Sequence, residues 1–235
     1  MQFTAKYSHY SNCTSPESKY FSVVTGIKSW LVYVIFCIIY GILSFLVNQF
    51  ILTYEVYYQG FSQQITATQV EAFIEMRSEY WWIGAVLPFF IVPLKVLYVA
   101  TCLSVGLIII GSDISVREVF RLALLSEIVF IADLIIQVFC GIFLIEVRIP
   151  DDYANFAPLS ALQFFDVSSL KLWMKHPLRT LNLFEVAYML VLAYFLTPLL
   201  KKRTYLQTLG LVVSSYGLGL LLWVVALAFL LLQVS

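Results

Sequence analysis

The chain has 235 residues, 61% of them hydrophobic and only 12% charged, far more apolar side chain than the core of a water-soluble domain of this size can bury. Lys plus Arg and Asp plus Glu both number 14, so there is no basic excess with which to hold nucleic acid by its phosphates. These numbers exclude a soluble domain, disfavour a nucleic-acid partner, and identify a lipid bilayer as the solvent.

Residues 1–28 read as a polar cytoplasmic tail, rich in Ser and Tyr, with no apolar stretch or small-residue cleavage site of the kind a signal peptide carries. Residues 29–235 read as one membrane domain. Five apolar runs are long enough to cross about 30 Å of hydrocarbon: Trp30 to Leu52, Trp81 to Ile110, Phe120 to Ile145, Leu183 to Leu200 and Leu206 to Leu232. They lack the apolar–polar alternation of barrel strands, and a helix satisfies its own backbone in lipid. The expected fold is therefore all-α, a polytopic integral membrane helical bundle of five transmembrane helices.

Between the first two spans, Thr68 followed by Glu71 is a capping-box pattern. Val70, Phe73 and Ile74 then recur at helical spacing up to Trp81 and Trp82. This predicts a short interfacial helix with the tryptophans at headgroup level. Glu71, Glu75 and Glu79 share one face, read as a solvated surface. Between spans three and four, Asp166 to Lys175 reads as a second helix, lying flat and stopped by Pro177. In span two, Pro88 and Pro93 each remove a backbone donor, a device for a gate or, more simply, for a tilt.

Five crossings put the chain ends on opposite sides, and Lys/Arg distribution chooses between the two orientations. Lys6, Lys19, Lys28, Arg117, Arg121, Lys201, Lys202 and Arg203 fall on one side. Arg77, Arg148, Lys171, Lys175 and Arg179 fall on the other, mostly in or beside a long connection where the bias counts less. The expectation is an N-terminus in the cytoplasm and a C-terminus outside.

Motifs for chemistry are missing from the sequence. Cys13, Cys37, Cys102 and Cys140 form no Cys-x-x-Cys pair, and His9 and His176 lie far apart. Neither a zinc peptidase helix, a Gly-x-Ser-x-Gly elbow, a phosphate loop nor a dinucleotide fingerprint occurs. No catalytic residue, metal or cofactor is expected.

Ionisable groups at membrane depth remain, and these are costly unless paired or hydrated. Lys95 and Asp133 lie roughly 16 and 18 residues from the inner turn on antiparallel neighbours, which predicts a buried ion pair. Glu127 lies nearer the cytoplasm on span three, about 240° around the helix from Asp133, so the two carboxylates are not expected to act as a dyad. Gln137 extends the Asp133 face by one turn, and Glu185 enters span four near the outer surface. In span five, Gly210 with Ser214 and Ser215 with Gly219 are small residues four apart that permit close helix approach, within the bundle or between chains.

The layout of tail and five close-packed spans resembles the Yip (Ypt-interacting protein) family and its bacterial relatives. Two stretches carry the resemblance: the turn Gly111-Ser112-Asp113-Ile114-Ser115-Val116-Arg117-Glu118-Val119-Phe120-Arg121, and Leu181-Asn182-Leu183-Phe184-Glu185 leading into span four. The second is similar to a family Leu-Asp-Leu-Phe pattern, with Asn182 in place of the acid. The resemblance covers Ser29 to Leu232. It implies a non-enzymatic membrane scaffold, here in a bacterial cytoplasmic membrane, with other membrane proteins or a second copy of the chain as partners. It transfers no catalytic residue, and the long acidic or Pro-rich tail with which some members meet partners is missing, so no GTPase partner is inferred. The alternatives are a transport component, either a small carrier or the membrane subunit of an ABC-type transporter, and an intramembrane enzyme using Glu127, Asp133 or Glu185 as acids.

Overall fold

The computed structural model describes residues 28–61, 66–200 and 203–234. The tail with His9 and Cys13, and Lys6, Lys19, Lys201 and Lys202 of the orientation argument, lie outside the described residues. In chain order the helices are α1 (Ser29–Ile51), α2 (Tyr54–Phe61), α3 (Ala67–Glu79), α4 (Trp82–Ile109), α5 (Val116–Phe143), α6 (Pro150–Asn155), α7 (Leu172–Thr180), α8 (Leu183–Leu199) and α9 (Tyr205–Gln233). Among the described residues there is no strand, and one isolated bridge joins Ser160 to Asn182. Four helices, α1, α4, α5 and α9, are long and apolar enough to cross a membrane; α8 is apolar but shorter.

The α4–α5 hairpin is fixed by local chemistry. Gly111, at φ +69°, ends α4, and the Ser112 N–H closes back onto the Leu107 carbonyl at 3.0 Å, the glycine-terminated helix end that a left-handed residue permits. Ser115 and Glu118 then form a reciprocal capping box, so α5 starts at Val116, four residues before the expected Phe120. A second box, Thr204 with Gln207, starts α9.

The outer connections differ from expectation in three ways. The cap of α3 is Thr66 with Gln69, not Thr68 with Glu71. Pro177 does not stop α7 but lies inside it, and the helix ends at Thr180. Finally, α7 packs along the C-terminal half of α9 while α8 packs along its N-terminal half. α7 and α8 thus form one broken element antiparallel to α9, interrupted at Leu181–Asn182. At the break the Asn182 side chain caps α8 through the Glu185 N–H at 2.7 Å. Two loop bonds hold the junction, Leu183 N–H to the Leu159 carbonyl at 3.0 Å and Ala161 N–H to the Leu181 carbonyl at 2.8 Å.

The core lies where α4, α5, α8 and α9 meet, around Val96, Leu103, Ala123, Tyr188, Leu192 and Val212, with α1 adding Val32 and Phe36. Small residues bring α4 and α9 together. A Cβ on Gly106 would stand 2.7 Å from the Ser215 Cβ, and one on Gly219 would stand 2.5 Å from the Cys102 sulfur. The Ser215–Gly219 pair is therefore spent inside the bundle. Gly210 and Ser214 face outward, with nothing within 4 Å of a Gly210 Cβ.

Candidate intramembrane polar site

The prolines of α4 shape the first polar contact. Pro93 has no N–H for the carbonyl of Phe89, four residues back, and leaves that acceptor open in an apolar helix. The Tyr33 hydroxyl of α1 donates to it, with the two rings edge to face at 6.3 Å. The helix is also jointed at Leu87, just before Pro88.

Two residues after Pro93, Lys95 points into the bundle. Its Nζ lies 3.1 Å from Oε2 of Glu127 on α5. The same ammonium sits 3.1 Å from the centre of the Phe130 ring and 5.6 Å from that of Tyr188, so ring faces supply the solvation that water would give. Glu127 is fully buried and stands at a joint in α5, where the helix halts between Ser126 and Ile128. Ser126 helps make this joint: its hydroxyl bonds back to the Leu122 carbonyl at 2.9 Å. The other Glu127 oxygen, Oε1, has no hydrogen-bond partner among the described residues.

The pair sits at the edge of a larger polar cluster. Tyr188 of α8 is buried, donates to the Ala123 carbonyl at 3.4 Å and lies beside Glu127. Its ring meets Phe130 at 4.8 Å and Tyr216 at 5.5 Å. Tyr216 of α9 donates to Oε2 of Glu185 on α8 at 3.0 Å. The wide turn Val213–Gly217 in α9 carries Tyr216 as its fourth residue, the kind of bulge that re-aims one side chain inside a long helix. Glu185 also feels Lys95, Glu127 and Asp133.

Of the residues expected from sequence, Lys95, Glu127, Asp133, Gln137 and Glu185 all belong to this region, but the expected pairing is corrected. Lys95 bonds Glu127, not Asp133. Asp133 is partly buried and takes its hydrogen bond from Gln137, as the one-turn spacing implied, with Arg179 of α7 a stronger cationic influence than Lys95. Glu127 and Asp133 keep separate partners, Lys95 for the first and Gln137 for the second. Sequence reasoning passed over Tyr33, Phe130, Tyr188 and Tyr216. Their signal was a hydroxyl or ring at the depth of a buried charge or a proline. Tyr153 on α6, outside the spans, has its phenol pushed up by burial while Arg179 pulls it down.

Chemically the cluster holds charge away from lipid. The Lys95–Glu127 ion pair joins α4 to α5, Glu185 is held by Tyr216, and exposed Arg179 donates to the Ala154 carbonyl at 2.8 Å. Among the described residues no group of three or more His, Cys, Asp or Glu is placed to hold a metal ion. No family model, curated protein or solved structure matches the chain.

Proposed function

We propose that the chain is a non-enzymatic five-span membrane scaffold of the Yip-like type, with its N-terminus in the cytoplasm and C-terminus outside, that organises partner membrane proteins. The observation that carries this reading is the division of the two small-residue pairs of α9. Ser215 and Gly219 are filled by α4, whereas Gly210 and Ser214 present a flat, uncovered strip to neighbours in the bilayer. Inside, the Lys95–Glu127, Tyr33–Phe89 and Tyr216–Glu185 contacts tie helices to each other, which suits a rigid frame. Five crossings are supported by the cavity that the α4–α5 turn (Gly111 to Asp113) shares with the α8–α9 link (Leu199 to Gln207). Both turns then lie on one face, and α8 returns from the other.

Co-purification of the full chain in mild detergent tests the reading. The wild type is expected to retain membrane-protein partners or a second copy. A Gly210→Leu, Ser214→Leu double variant is expected to lose them while staying folded. Partner recovery unchanged in that variant counts against the strip.

A transport component is the second reading, favoured by the three carboxylates gathered with one orphaned oxygen at Glu127. Reconstituted vesicles that show proton or solute flux abolished by Glu127→Gln would establish it over the scaffold.

A further inference from the structure

Between α1 and α4 two adjoining cavities, about 650 Å³ and about 400 Å³, share Phe45 and Asn48 in their walls. One end, beside Cys37, Gly41 and Phe89, is almost entirely apolar. The other is lined by Asn48, Gln49, Arg77 and Ser78, at the level where α1 ends. We propose that this groove binds an anionic membrane phospholipid, its phosphate at Arg77 and an acyl chain lying past Gly41 toward Phe89.

The argument starts from charge. Arg77, partly buried on α3, donates to the Leu52 carbonyl at 3.2 Å and to the Asn48 side chain, and stacks over the Tyr57 ring at 4.1 Å. These partners are uncharged. The negative end of the α1 helix dipole is worth about half a charge, so part of the cation stays unbalanced, and among the described residues no carboxylate pairs with it. A guanidinium at a span end matches a phosphate by its planar fork of donors. The adjoining apolar channel then selects a phosphate that carries a hydrocarbon chain. Gly84 lets α1 and α4 close on each other, since a Cβ there would stand 2.9 Å from the Ser44 hydroxyl, whereas Gly41 lines the channel and has room for a Cβ at 3.7 Å from the Ala85 carbonyl, so a bulky side chain at Gly41 is expected to narrow the channel.

The test uses the full chain in phosphatidylcholine nanodiscs, with spin-labelled phosphatidylglycerol and spin-labelled phosphatidylcholine as probes. One basic group near the surface is worth about a five-fold preference for an anionic lipid. Wild type is expected to favour phosphatidylglycerol by about that factor. Arg77→Gln, which keeps donors for Leu52 and Asn48 but no charge, is expected to bring the ratio to one. Arg77→Lys is expected to retain most of it. Gly41→Leu is expected to lower association of both lipids, and millimolar inorganic phosphate is expected not to compete. Exposed Arg148, paired with Glu146 at 3.0 Å, serves as control through Arg148→Gln. An unchanged ratio in Arg77→Gln, an equal loss in the control, or full displacement by phosphate overturns the proposal. If Arg77→Gln does not fold, an unchanged association in Gly41→Leu does so.

Discussion

A lysine in an apolar span has to find an anion, and the pair then has to find further hydrogen bonds to offset its desolvation. Lys95 meets both needs only in part: Glu127 supplies the anion and Phe130 a ring face, yet Glu127 keeps one oxygen unsatisfied. Removing one partner alone therefore strands a buried charge. Lys95→Met is expected to destabilise the bundle by about 3 kcal/mol, and Lys95→Met with Glu127→Leu by distinctly less. Unfolding in mixed micelles reads both. A double-variant loss equal to the sum of the Lys95→Met and Glu127→Leu losses would show that the pair contributes nothing specific. Tyr33 makes a simpler case. Without its hydroxyl the Phe89 carbonyl freed by Pro93 has no described donor, so Tyr33→Phe is expected to cost about 1 kcal/mol. The same change combined with Pro93→Ala, which restores the helical donor, is expected to cost little. Non-additivity between Tyr33 and Pro93 is the quantity to measure.

At the scale of elements, α4 and α9 touch through glycine. Gly106 accepts the Ser215 side chain against its backbone, and a Cβ there collides with another Cβ rather than with a flexible tip. Gly106→Val is expected to push the helices apart and cost about 1–3 kcal/mol, as overpacking does. Gly210→Val, on the outward strip, is expected to leave the isolated chain's stability nearly unchanged, and thermal unfolding of the two variants separates a packed glycine from an open one. The elements themselves were legible where the signal is long. Apolar runs of twenty or more residues leave few alternatives to a membrane helix, and α1, α4, α5 and α9 fall close to their expected ranges. Lateral pairing was not legible. Counting residues along two straight antiparallel rods gives a height, which correctly placed Lys95 opposite α5, but it gives no azimuth. The joints at Leu87 and Glu127 also break the rods. Hence Asp133 stood at a suitable height and Glu127 formed the bond. The α7 expectation failed for a related reason. Pro177 removes one internal donor, yet a helix packed along α9 tolerates that loss, so local punctuation gave way to tertiary contact.

For the whole molecule the open quantity is the number of crossings, because four helices are long enough alone and α8, at about 1.5 Å per residue, is several ångströms short of the hydrocarbon thickness. Five crossings require that shortfall to be met by continuity, with α7, which packs against the C-terminal half of α9, extending the track of α8 beyond the capped break at Asn182. Polar backbone at the break is bonded to the loop around Leu159 rather than left to lipid, which is the condition for an interrupted helix at membrane depth. With Arg117, Arg121 and Arg203 clustered at the α4–α5 and α8–α9 turns, that face is expected to be cytoplasmic. Single cysteines placed at the two chain ends of a cysteine-free variant are then expected to react differently with an impermeant maleimide. The C-terminal site labels in intact cells, and the N-terminal site only after permeabilisation. Labelling of both ends from the same side means an even number of crossings, in which case α8 is re-entrant. The lipid groove at Arg77, built from the segment α1–α4 without α8, is unaffected by that outcome.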